Sequence, residues 1–198
     1  MRIDELNKLF GAYFELMAIS KEDKKKRVDC AFFFYDVVWY VLTMIRLENE
    51  KGRLADKEDY RQSLEYRIMD KLDETDIPYD EEYIKNITED IIDTTFRHID
   101  YEDDYFLSQD RAVLIAQNEA NTVMNGVDFF NAKKSGKTHK QWIAELDDRT
   151  REAHILVDGT FIPIDEMFQV GNDLMRFPHD YNASAENVVN CRCSCVYS

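Results

Sequence analysis

The densest chemistry in this 198-residue sequence lies at its C-terminal end, where Asn190-Cys191-Arg192-Cys193-Ser194-Cys195 alternates three thiols with polar residues. Thiolates and imidazole are the preferred ligands of a borderline-soft cation, with zinc first among them. Side chains two apart in a strand share one face. On an expected strand over residues 191–197, Cys191, Cys193 and Cys195 therefore point together, and His154 on a neighbouring strand is the fourth candidate metal ligand. Metal ligands are more often separated by two to four residues, so the competing reading makes these cysteines small apolar packing residues. Cysteines so spaced rarely bridge one another. Reduced thiols in an intracellular protein are expected, rather than the disulfide framework of a secreted one.

A second concentration of unusual residues runs from Lys140 to Gly159 and includes Trp142, Asp147, Arg149, Arg151 and His154. Trp142 reads as a half-buried anchor. Asp147 and Arg151 are four apart and would pair on a helix. Val157-Asp158-Gly159-Thr160 is the best hairpin signal, since Asp-Gly suits a turn with positive φ, and His154 would open that hairpin. As a catalytic set, only Glu119, Arg151 and His154 offer an acid, a base and a cation. No catalytic residue is assigned, because the sequence holds no glycine-rich nucleotide turn, no HExxH and no Gly-x-Ser-x-Gly elbow. Ser135-Gly136-Lys137-Thr138 imitates the end of a phosphate-binding loop, but Asn131 stands where the first glycine belongs, and a polar turn is expected instead.

These residues need a scaffold, and the hydrophobic periodicity describes one. Leu6, Leu9, Phe10, Tyr13, Phe14 and Met17 recur at helical steps, as do Leu54, Tyr60, Leu64, Ile68 and Leu72 along residues 47–71 and just past them, and Tyr83, Ile84, Ile87, Ile91, Ile92 and Phe96. The lysine-rich stretch from Lys24 to Arg27 reads as a break before an apolar helix over residues 30–45. That helix is too short to span a membrane, and Asp36 interrupts it. From Ser108 a capped helix runs to about Asn131. Beyond it come glycines, prolines and short β-rich pieces at residues 154–157, 160–164 and 191–197. The expected fold is α+β: a helical N-terminal part over residues 1–107, then a compact domain over residues 108–198 with helices and a small antiparallel sheet.

Forty acidic against 25 basic residues give a formal net charge of -15. A chain with that field gains little from counterion release on nucleic acid and is repelled by anionic membranes. With 44% hydrophobic residues it has material for a core and no reason to be disordered.

Four features in order carry a resemblance: Ala112-x-x-Ile115-Ala116-x-x-Glu119; Lys140-Gln141-Trp142; Asp148 and Arg151 through His154 to Gly159; and Asn190-Cys191-Arg192-Cys193. Together they resemble the phage Mu F-like minor head, or head-morphogenesis, proteins. Glu119, Trp142, Asp148, Arg151, His154, Gly159, Asn190, Cys191 and Cys193 are thus the family-motif residues. The chain departs from the family pattern at Gln117-Asn118, where the family usually reads Arg-Thr, and by the longer stretch from Tyr181 to Val189. The resemblance implies a minor structural component of a phage head that associates with the portal vertex during procapsid assembly and can be packaged in the head. Its partners would be portal and capsid proteins, with packaged DNA as a further contact and no membrane. It would be assembled in the host cytoplasm and found in the virion or procapsid, and it would not be an enzyme. Because domains of this kind are also joined to toxins, an ADP-ribosyltransferase-like or nuclease-like effector is one alternative. A metal-stabilised protein-binding module is another. The helical residues 1–107 carry no motif of the resemblance.

Overall fold

A computed structural model describes residues 1–99 and 104–198. In chain order the elements are α1 (Ile3–Glu15), α2 (Lys21–Glu50), α3 (Lys57–Glu74), α4 (Glu81–His98), a 3-10 turn (Asp104–Leu107) and α5 (Gln109–Lys134). There follow β1 (His139–Ile143), α6 (Glu152–Val157), β2 (Phe161–Pro163), β3 (Phe168–Val170), β4 (Asp173–Met175), α7 (Ala185–Val188) and β5 (Ser194–Tyr197). The fold class is α+β, as expected.

Two compact units divide the chain, but not at residue 108. One comprises Met1 and Ala31–Ala116, the other Arg2–Cys30 and Gln117–Ser198. Sequence continuity misleads here because α2 and α5 each contribute residues to both units, so a boundary drawn between helices misses divisions that fall within them.

The first unit is helical. Its core is built from Phe34, Val38, Val41, Leu42 and Ile45 of α2, Leu64, Ile68 and Leu72 of α3, and Ile84 and Ile92 of α4. Side-chain caps set the helix starts: Asp56 accepts from the Glu58 N–H (2.9 Å), Asp80 from the N–H groups of Glu82 (2.9 Å) and Tyr83 (3.3 Å), and Ser108 from that of Arg111 (3.2 Å). Each such cap stabilises its helix by about 1 kcal/mol. The supposed single stripe over residues 47–71 is two helices, since α2 stops at Glu50 and Gly52 takes φ +61. Glycine reaches that left-handed conformation without a Cβ clash. α2 is long and apolar enough to cross a membrane, with a mean hydropathy of 1.6, yet 56% of its most apolar window is buried inside the protein.

The second unit holds the sheets. β1 is the centre of a three-stranded antiparallel sheet in the order β2-β1-β5, with Lys140 opposite Ile162 and Tyr197, and Trp142 opposite Cys195. β3 and β4 form a separate hairpin, with Gly171 at φ +57 in its two-residue turn. The core gathers Trp142, Ala144, Val157, Phe168, Val170, Met175, Cys191 and Cys193. Trp142 is fully buried rather than half-buried, because strands flank β1 on both sides and Phe168 packs edge-on at 5.2 Å. No break occurs at Lys24 to Arg27: α2 runs through it. Arg27 is fully buried, donating to Asn121 (3.2 Å), Asn125 (2.8 Å) and Asp128 (2.9 Å), all on α5. A charged residue read as part of a break between helices is an internal bolt. At the end of α5, Gly136 takes φ +79 and the Lys137 N–H returns to the Ala132 carbonyl, so Ser135 to Thr138 form a helix-ending turn.

Candidate metal centre

The stretch from His154 to Val157 is helical rather than a strand. Arg151 precedes the short α6, and Asp158-Gly159 turns its end into β2, with Gly159 at φ +72. The turn expected at Asp-Gly is present, but it joins a helix to a strand. Six residues from Glu152 to Val157 place His154 and Val157 three apart, on one face against the core, and His154 is 2% exposed. The Trp142 ring stands edge-on to its imidazole at 5.8 Å.

The cysteines approach from the other end of the chain. After α7, Asn190 adopts φ +59, a left-handed conformation that asparagine tolerates better than most residues, and its N–H donates to Asn118 Oδ1 at 2.7 Å. The chain reverses there and drops Cys191 inward. The Cys191 carbonyl accepts from Tyr13 Oη (3.1 Å), Asn121 Nδ2 (3.0 Å) and His179 Nε2. Burial pushes the His179 imidazole down to about 4, so it is neutral and donates through Nε2.

Two arginines fasten the same stretch to the loop before α6. Arg151 donates to the Val189 carbonyl (2.5 Å), and Arg192 reaches both Asp147 oxygens at 2.8 Å. Asp147 therefore pairs with Arg192 and, more loosely, with Arg149 at 3.4 Å, rather than with Arg151 as expected. The reason is that residues 147–150 form a turn, not the helix that spacing of four requires. The Arg192 hydrogen bond, opposed by partial burial and reinforced by the Arg149 N–H, holds the Asp147 carboxyl at about 2.

The outcome is a buried cluster in which His154 Nδ1 lies 3.3 Å from Cys193 Sγ and 3.5 Å from Cys191 Sγ, while the Cys193 N–H points at Cys191 Sγ at 3.4 Å. All three candidate donor atoms lie within 4.8 Å of one another. Burial opposes charge on Cys191. The thiol and N–H of Cys193 and the charges of Arg151 and Arg192 outweigh that, and Cys191 is pulled below the ordinary thiol range. Hydrogen bonding to Cys191, then burial, pushes Cys193 up.

Cys195 is not part of the cluster. β5 begins only at Ser194, so strand alternation does not govern Cys191 and Cys193, which sit in the irregular approach to it. Cys195 stands opposite Trp142, and burial pushes its thiol up to about 12. Among the catalytic candidates, Arg151 and His154 line one small cavity of about 10 Å³ beside the cluster, but Glu119 does not. Glu119 is half-buried on α5, where its charge acts on Cys30 and His179. Of the remaining motif residues, Asp148 is exposed, while Asn118, Asn121, Tyr13 and His179 enter the site without any motif to announce them. Tyr13 could be read only as one more member of a helical stripe.

The second unit thus defines a class: a small antiparallel β-module wrapped by helices and closed by a Cys-x-Cys loop on a buried histidine. The chain belongs to the family described as Phage Mu protein F like protein, whose model matches residues 78–196. That match begins about a turn before α4, well ahead of the Ser108 boundary expected from the sequence. The chain is similar to the minor head protein GP7 of Bacillus phage SPP1, 32% identical over 95 residues, covering 46% of this chain and 30% of that protein. It is also similar to the NAD(+)–arginine ADP-ribosyltransferase EFV of Enterococcus faecalis (strain ATCC 700802 / V583), 29% identical over 129 residues, covering 60% of this chain and 26% of the enzyme. The chain therefore spans less than a third of the length of either curated relative. No solved structure matches it.

Proposed function

We propose that this chain is a minor structural component of a phage head, associating with the portal vertex as the procapsid assembles and carried in the finished head. The observation behind this reading is the family match over residues 78–196 together with the similarity to a phage minor head protein. The architecture is consistent with a docking piece. The cavity beside the best cluster of reactive side chains has a volume of about 10 Å³, room for one water-sized ligand and no substrate. A formal charge of -15 favours protein partners over bare DNA. Co-expression with the portal and capsid proteins of the same phage tests the reading: the chain should co-sediment with procapsids at low copy number, measured by quantitative mass spectrometry. Procapsids that form normally and never contain it would end the proposal.

One observation favours a second reading, the similarity to an ADP-ribosyltransferase. We take this as a module shared with a longer enzyme. Only 26% of that enzyme is matched, and Glu119 does not share a cavity with Arg151 and His154. Incubation with NAD and arginine-containing acceptors should give no ADP-ribosylation, and turnover abolished by Glu119→Gln would favour the enzyme instead.

A further inference from the structure

We propose that His154, Cys191 and Cys193 bind one zinc ion that staples α6 to the loop entering β5, with a water molecule as the fourth ligand. The argument begins with donor chemistry. Two thiols and an imidazole suit zinc, and carboxylate-preferring cations such as magnesium or calcium have no oxygen donor in the cluster.

Geometry then constrains the site. Tetrahedral zinc with bonds of about 2.3 Å to sulfur and about 2.0–2.1 Å to nitrogen sets sulfur and nitrogen about 3.5 Å apart. The two nitrogen–sulfur distances are 3.3 and 3.5 Å, already at that separation. An ion could enter with little rearrangement of the backbone. Packing alone accounts for the cysteines, which belong to the hydrophobic core, but not for the histidine beside them. His154 is 2% exposed, offers Nδ1 to both sulfurs, and its Nε2 has no hydrogen-bond partner among the described residues. An apolar side chain would be the cheaper choice there unless Nδ1 had a ligand to hold.

The surroundings hold one of the two ligand-bearing segments firmly. The Cys191 carbonyl is held by donors from Tyr13, Asn121 and His179, fixing the loop that presents its sulfur. Beside the ligands the cavity of about 10 Å³ matches one water molecule, enough to complete a tetrahedron. It is too small to admit a substrate, which makes the ion a fastener of this unit rather than a Lewis-acid catalyst.

The whole chain, purified without chelator, is the test material. Elemental analysis should find one zinc per chain. Replacement by cobalt should give thiolate-to-metal charge-transfer bands and the intense visible bands of a tetrahedral ion. Cys193→Ser and His154→Gln should each weaken zinc binding at least about tenfold, whereas Cys195→Ser should leave it unchanged. Chelation should lower Tm by about 5–10 °C when the free ion had been near a hundred times its dissociation constant. Should a ligand variant fail to fold, the cobalt spectrum of the unaltered chain decides by itself. A folded chain that takes up no zinc overturns the proposal, as does a cobalt complex without thiolate bands, or loss of binding in Cys195→Ser.

Discussion

Arg27 offers the sharpest test of how the second unit is held together. Replacing it by methionine keeps most of the aliphatic stem and removes the guanidinium that donates to Asn121, Asn125 and Asp128. The amide nitrogens of the two asparagines remain committed to the carbonyls of Cys191 and Pro178, so their oxygens cannot simply rotate to new donors. Each buried acceptor left without a donor costs about 1–3 kcal/mol. The Asp128 side chain is 38% exposed and keeps water, so its share of the loss is small. Against this stands the removal of a fully desolvated cation whose Nη1 has no partner among the described residues. The balance is a loss of roughly 2–4 kcal/mol, or a fall in Tm of roughly 5–15 °C for a chain of this size. Arg27→Lys should fall between the two, because an ammonium cannot fork to three acceptors. Urea unfolding followed by circular dichroism, with the slope m compared between variants, is the assay. A change below about 0.5 kcal/mol in Arg27→Met would refute the reasoning, since it would mean that water reaches those oxygens.

Two further expectations concern the loop that carries Cys191. Hydrogen bonding to Arg192 holds Asp147 at about 2, below the roughly 3.9 of an unfolded chain. The folded state therefore prefers the carboxylate, and the stabilisation is complete above about pH 4 and lost as pH falls towards 2. Asp147→Asn should unfold with a flatter pH dependence in that window, and identical slopes in the two proteins would contradict the pairing. At Asn190, φ +59 predicts that Asn190→Gly is tolerated while Asn190→Val costs about 1–2 kcal/mol in urea unfolding. Equal stability of the two variants would show that the chain reverses by some other conformation.

Much of the candidate site was legible one residue at a time. His154, Cys191 and Cys193 are rare residue types in a sequence otherwise rich in solvated charges, and soft-ligand chemistry singles them out wherever they fall. The secondary structure around them was not. Residues 154–157 look β-prone because His-Ile-Leu-Val is apolar and branched, but a turn of helix buries His154 and Val157 on one side and leaves Ile155 and Leu156 outside. Alternation pointed to Cys195 as a third sulfur. The late start of β5 removed it, because the period of two holds only within a strand.

The sequence by itself determined the α+β class, most of the helical stripes, the cap at Ser108, the positive φ of Gly159 and the family motifs, for each depends on local periodicity or on one residue's conformational range. Only the tertiary structure decided that Arg27 is buried, that Asp147 answers Arg192, and that α1 belongs to the same unit as the C-terminal strands. Those facts depend on partners 45 to 178 residues away or on a turn where spacing suggested a helix. The cysteine loop shows both sides of this division. Local chemistry marked the thiols, but the long-range contact with His154 selected the two that meet, because a ligand set is defined by distance in space and not by spacing along the chain.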